Sequence, residues 1–163
     1  MKNFVLMKIK LIVIGKTDEK YLSTGIKKYT DRIIHYLPFE YQIIPDVKKT
    51  QNLSENQQKE KEGKLLLSKI KPGEEVILLD ECGTMSGSVE FARFLEKKMI
   101  KGTRNLVFVI GGPYGFSEEI YRIASSKISL SKMTFSHQMV RLIFSEQLYR
   151  ALTIIKGEPY HHE

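Results

Sequence analysis

Two periodicities alternate along the chain. Short, apolar, β-branched runs at residues 8–15 (KIKLIVIG), 39–44 (FEYQII), 76–80 (VILLD), 105–110 (NLVFVI) and 128–130 (ISL) read as buried strands. Between them the apolar residues recur at helical spacing. Tyr21, Leu22, Ile26, Tyr29, Ile33 and Leu37 predict a helix over 18–37, stopped by Pro38. Ser54 with Gln57 has the form of a capping box opening a helix to Ile70, and Pro72-Gly73 is a turn. Ser88 is placed to cap a helix through Ile100, closed by Gly102, and Ser117 to cap one over 118–126. A last helix is expected over about 138–155, with Val140, Phe144, Leu148, Ala151 and Ile155 as its apolar stripe and Met139, Ile143 and Leu152 widening it. A stripe that wide fits burial on more than one side, as where a helix also meets a second subunit.

Strand and helix alternating in this way predict an α/β fold, a mainly parallel sheet with helices on both faces. Ligands in such folds sit beyond the C-terminal ends of the strands. Three loops lie there: 80–87, 111–117 and 131–137. The expectation is one cleft with three walls. Residues 46–52 are polar and read as a mobile loop. Residues 1–6 are taken as an N-terminal extension, and 7–163 as a single domain.

Composition narrows the function classes. Lys and Arg number 26 against 19 Asp and Glu, a net charge of +7. That bias favours a polyanion such as nucleic acid, although the lysines are scattered and would also serve as a solubilising surface. No run is long enough for a membrane helix. The single Cys82 has no disulfide partner and stands among acids, so it reads as an incidental thiol of a cytoplasmic protein. The four histidines have no metal-ligand spacing, so no metal is expected.

The loop GGPYGFS (111–117) lets backbone approach a ligand, or is a plain strand-to-helix turn. It matches no phosphate-binding fingerprint, and Pro113 removes an amide donor. Asp80 ends a central strand where an acid could meet ribose hydroxyls or simply be solvated. Glu146 and Arg150 form an i,i+4 pair read as a structural salt bridge. Arg141 in the first turn of the last helix opposes the helix dipole, so it is expected to answer to something anionic.

Taken in order and spacing, VILLDECG (76–83), VFVIGGPYGFS (107–117), LSKMTFSHQMVRLIFSEQLYRA (130–151) and GEPYHHE (157–163) resemble the RlmH family of SPOUT-class methyltransferases, over Met7 to Glu163. The resemblance implies a SPOUT-type fold with a C-terminal trefoil knot, a homodimer, and methyl transfer from S-adenosylmethionine to N3 of a pseudouridine in helix 69 of 23S rRNA within the ribosome. It implies cofactor contacts at Leu79, Gly111, Leu130, Ser131, Lys132, Met133, Thr134 and Phe135. His137 or His161 is the candidate base or hydrogen-bond organiser, with Arg141 holding phosphate or uracil oxygens and Tyr160 a further candidate in the tail, which would lie over the partner subunit's site. Two positions depart from the family pattern: Ser136 stands where relatives commonly have Pro, and His162 where many have a cation. The rival readings are a non-enzymatic ribosome-binding module and a nucleotide- or flavin-binding doubly wound protein.

Overall fold

Five parallel strands form one sheet in the order β2-β1-β4-β3-β5, where β1 is Lys8–Ile14, β2 Phe39–Ile44, β3 Glu75–Met85, β4 Asn105–Ile110 and β5 Ser126–Ser129. The structure, a computed structural model, describes residues 6–48 and 50–162. The expected extension therefore falls largely outside the described residues; Leu6 is exposed and Met7 is buried. Lys49 and Glu163 also lie outside them, and the segment expected to be a loop ends in a 3-10 turn at Thr50–Asn52.

Side-chain alternation along each strand sorts the core into two layers. On one face Ile9, Leu11, Val13, Ile77, Leu106 and Phe108 meet α1 (Lys20–Ile33), α3 (Ser88–Lys101) and α5 (Met139–Lys156). On the other, Ile12, Ile14, Leu78, Val107 and Val109 meet Leu66 of α2 (Glu55–Lys69) and Ile120 of α4 (Glu118–Ile123). β4 and β1 are covered on both sides, which is why their sequences are mostly apolar; the exception within β1, Lys10, is buried with its ammonium on Glu74 and the Lys69 carbonyl. Phe108 and Phe144 pack 4.8 Å apart at the centre of the first layer.

Several boundaries differ from the sequence reading. β3 does not stop at Asp80; it resumes through Thr84 and Met85, which pair with Ile128 and Ser129 after an irregularity in register. Residues 80–83 bulge out between the two paired stretches, so the expected loop 80–87 belongs to β3 as far as Met85. α1 spans Lys20–Ile33 and leaves Leu37 to a turn, α4 ends at Ile123, and β5 starts at Ser126. Ser88 does not cap α3: Gly87 holds that position, and the Ser88 hydroxyl donates to Gln147 Oε1 at 2.7 Å. The capping box is present as expected, with Ser54 Oγ accepting from the Gln57 amide at 3.1 Å and Gln57 Oε1 from the Ser54 amide at 2.9 Å. Gly102 closes α3 at φ 86°, a left-handed turn that a side chain would strain.

Candidate active site

The C-terminal ends of β3, β4 and β5 open into a cavity of about 490 Å³, lined by residues 79–82, 110–116, 128–131 and 133–135 together with Glu55, Tyr121, His137 and Val140. This is the three-walled cleft the loops predict. Seven of the eight residues expected at the cofactor, Leu79, Gly111, Leu130, Ser131, Met133, Thr134 and Phe135, line it; Lys132 does not.

Local hydrogen bonds shape each wall. Asp80 accepts from the Cys82 amide at 2.8 Å and from the Tyr121 hydroxyl, so its carboxylate is oriented by both sides of the bulge. Burial and that carboxylate push the Tyr121 phenol well above its ordinary value, keeping it a donor. On the third wall Ser129 Oγ donates to the Ser131 carbonyl, and Ser131 Oγ accepts from the Met133 amide, both at 2.9 Å. The glycine loop is pinched by a bridge between Gly112 and Gly115, which requires Gly115 at φ 86°.

The charge of the cleft is distinctive. Among the described residues, its lining includes the carboxylates of Glu55, Asp80 and Glu81 and no Lys or Arg. Such a wall attracts a cation and repels a phosphate. Apolar surface from Leu79, Ile110, Leu130 and Val140 completes it. The volume lies in the range of small-ligand pockets, about 300–1,000 Å³. These features fit a ligand with an apolar part and a positive centre. Among the described residues no three His, Cys, Asp or Glu side chains come together around a metal position.

His137 reaches the cleft at the entry to α5. Burial lowers its imidazole pKa below the ordinary 6.5, and the neighbouring Arg141 charge lowers it further, against a weaker pull upward from Asp46 and Asp18. Arg141 itself is fully buried and does not face the cleft. Its Nη1 donates to the Gly15 carbonyl at 2.8 Å and Thr17 Oγ1 at 3.2 Å, its Nη2 to the Ile14 carbonyl at 2.5 Å, and its Nε to the His137 carbonyl at 3.2 Å. The expectation that this cation holds RNA phosphate or uracil oxygens is therefore corrected. The partial negative charge it answers to is the carbonyl end of β1, brought against α5 by the fold.

The tail lies elsewhere. Tyr160 donates to Glu146 Oε1 at 3.0 Å and packs on Tyr149, with ring centroids 4.7 Å apart. Arg150 binds Glu146 at 2.5 Å, covers the Tyr160 ring at 4.8 Å and meets His161 Nδ1 at 3.2 Å. A guanidinium only donates, so His161 Nδ1 accepts and its proton sits on Nε2. Burial, with hydrogen bonds to Tyr29 and Glu146, raises the Tyr160 phenol far above its ordinary pKa. From Val140 at the cleft to Arg150 is ten residues of α5, about 15 Å. The structure thus separates His137 from His161 and Tyr160 within one chain.

The sequence reading missed two arrangements. Glu146–Arg150 is more than a helix-surface ion pair, since it anchors the tail; an acid and base four apart give no hint of that. Glu62, buried beneath the glycine loop, went unremarked because its neighbours in the sequence are mostly charged.

Comparison with known proteins gives one family. The family model described as Predicted SPOUT methyltransferase matches residues 7–161. A protein of Christiangramia forsetii named ribosomal RNA large subunit methyltransferase H is 63% identical over 96% of this chain and 99% of its own length. Its namesake in Parabacteroides distasonis is 61% identical over 96% of this chain and all of its own length. Among solved structures, a probable methyltransferase from Bordetella pertussis Tohama I superposes with a TM-score of 0.53 over 90% of this chain and 95% of its own, at 10% identity, a likeness of fold.

Proposed function

The chain belongs to the SPOUT methyltransferase family, among relatives named ribosomal RNA large subunit methyltransferase H, and from that premise we propose that it methylates large-subunit ribosomal RNA with S-adenosylmethionine as donor. The observation that supports the donor's place is the cleft: a small-ligand cavity walled by three carboxylates and, among the described residues, by no Lys or Arg. A nucleotide or flavin phosphate would meet repulsion there, and Pro113 removes an amide it would use. The target we propose is the family's, N3 of a pseudouridine in helix 69.

The donor supplies an electrophilic methyl; the protein must free the RNA's acceptor nitrogen of its proton. An imide N3 carries its proton at neutral pH, so a base must take it as the bond forms. His137 suits that role, because burial and Arg141 keep its imidazole neutral at pH 7. Arg141 acts as a positioning residue, fixing the His137 backbone through its Nε. His161, with its proton on Nε2, suits donation to a uracil oxygen, where negative charge develops, while Tyr160, its phenol proton engaged by Glu146, holds the tail in place.

The separation along α5 supports a composite site in a homodimer. One chain's tail is out of reach of its own cleft, so both sets of groups act on one base only if the partner supplies the tail. Beside the tail, Arg32 lies over the Tyr149 ring and Lys28 over Tyr29, and these two cations suit RNA phosphates. The trefoil knot belongs to the same reading.

The test is methyl transfer from labelled S-adenosylmethionine to ribosomes whose helix 69 pseudouridine lacks the modification. Nuclease mapping is expected to place the label on that nucleotide. Salt-dependent RNA binding with no label incorporated would instead favour a non-enzymatic binding module.

A further inference from the structure

Helix α2 makes two choices that are unfavourable for a helix, at adjacent positions. Glu62 is buried, 3% exposed; its Oε1 accepts from Gln58 Nε2 at 3.0 Å, while its Oε2 has no hydrogen-bond partner. Gly63, next to it, is buried mid-helix, where glycine costs backbone entropy. Both face the same segment. A Cβ on Gly63 would lie 2.3 Å from Ser117 Oγ, so only glycine lets the helix approach that closely. A Cβ on Gly112 would lie 2.6 Å from both Glu62 carboxylate oxygens. The two ends of the loop 112–117 therefore rest on two consecutive residues of one helix.

We propose that Glu62 and Gly63 form the seat that sets the height of the glycine loop against the cleft, making α2 a positioning element for the methyl donor. The proposal rests on the reading of the cleft given above. The carboxyl works by its bulk and its fixed place: it blocks the loop from sinking toward α2, and the absent side chain at 63 lets the loop's far end sit down. Burial raises the Glu62 pKa, with Asp46 adding to it and Gln58 opposing, so the group loses charge more readily than an ordinary carboxylate and tolerates its dry position. Gly112 and Gly111 before it both line the cleft, so a displacement at Gly112 moves the cavity wall directly.

A double-mutant cycle tests this on the full chain. Gly112 is not at positive φ, so Gly112→Ala adds a methyl without backbone strain. It is expected to weaken S-adenosylmethionine binding about tenfold by calorimetry and to raise hydrogen exchange in residues 111–117, with the melting transition retained. Adding Glu62→Ala makes room for the methyl and is expected to restore most of both. Adding Glu62→Gln instead, which keeps the volume, is expected to restore neither. Equal binding and exchange in Gly112→Ala and the wild type, additive losses in the Glu62→Ala double variant, or rescue by Glu62→Gln would each overturn the proposal. If the wild type binds no S-adenosylmethionine, the reading of the cleft fails, and the exchange pattern alone still decides the seat.

Discussion

Arg141 Nη1 donates to the carbonyl of Gly15 across 2.8 Å, joining the first turn of α5 to the end of β1. With Nη2 on Ile14 and Nε on His137, one side chain ties together a strand end, a helix start and the entry to the cleft. Removing it leaves those carbonyls buried without a donor. Arg141→Ala is expected to cost about 3 kcal/mol or more in chemical denaturation, and to lower donor affinity along with activity. A variant that keeps full stability yet loses only RNA methylation would return Arg141 to the substrate.

His137 predicts a pH profile. Its folded pKa lies below the ordinary 6.5, so the neutral base persists under mildly acidic conditions. The acid limb of kcat is expected at a pH below 6.5, and His137→Asn to reduce kcat by roughly 10²–10⁴-fold. Stability follows the same sign. A depressed histidine contributes stability that is whole above the unfolded pKa and is lost as pH falls through the folded one. An acid limb unchanged in His137→Asn would show that another group titrates.

Ser136 has a structural task in this chain. Its hydroxyl oxygen accepts from the Met139 amide at 3.1 Å and its carbonyl from the Val140 amide at 3.1 Å, capping the start of α5. Ser136→Ala is expected to lower stability by about 1 kcal/mol and to raise KM for the donor more than it lowers kcat, since the cap orders the segment leading into His137. Unchanged thermal denaturation would remove the cap from the account.

The composite site predicts complementation. Chains lacking residues 160–163 and chains carrying His137→Asn are each expected to be nearly inactive as pure dimers. Mixed dimers retain one cleft with an intact His137 and the partner's intact tail. Co-expressed with different affinity tags, the heterodimer is expected to recover a substantial fraction of wild-type activity, of the order of half. Inactive heterodimers would place both groups in the same chain's site.

Strand positions were legible because a strand buried on both faces must be apolar throughout, and that holds for Leu11 and Phe108 alike. The continuation of β3 was not legible. ECGTM carries no alternation, and its pairing with Ile128 and Ser129 depends on a neighbour far along the chain. The cleft was legible in outline, since its walls are loops at strand ends. The role of Arg141 was not: the dipole argument rightly asked for a negative partner, but the carbonyls of Ile14 and Gly15 are 126 and more residues away. Ser145, one turn beyond Arg141 on α5, is likewise buried, its hydroxyl donating to the Arg141 carbonyl at 2.7 Å. Polar groups that satisfy each other inside a fold look, in sequence, like groups awaiting a ligand.

The most direct test of the central claim is a calorimetric titration of the wild-type chain with S-adenosylmethionine, repeated with adenosine triphosphate. A cleft walled by Glu55, Asp80 and Glu81 is expected to give saturable binding of the sulfonium ligand, one per cleft, and no measurable heat from the triphosphate. Binding of the triphosphate in preference, or of neither ligand, would contradict the assignment of this cleft to a methyl donor.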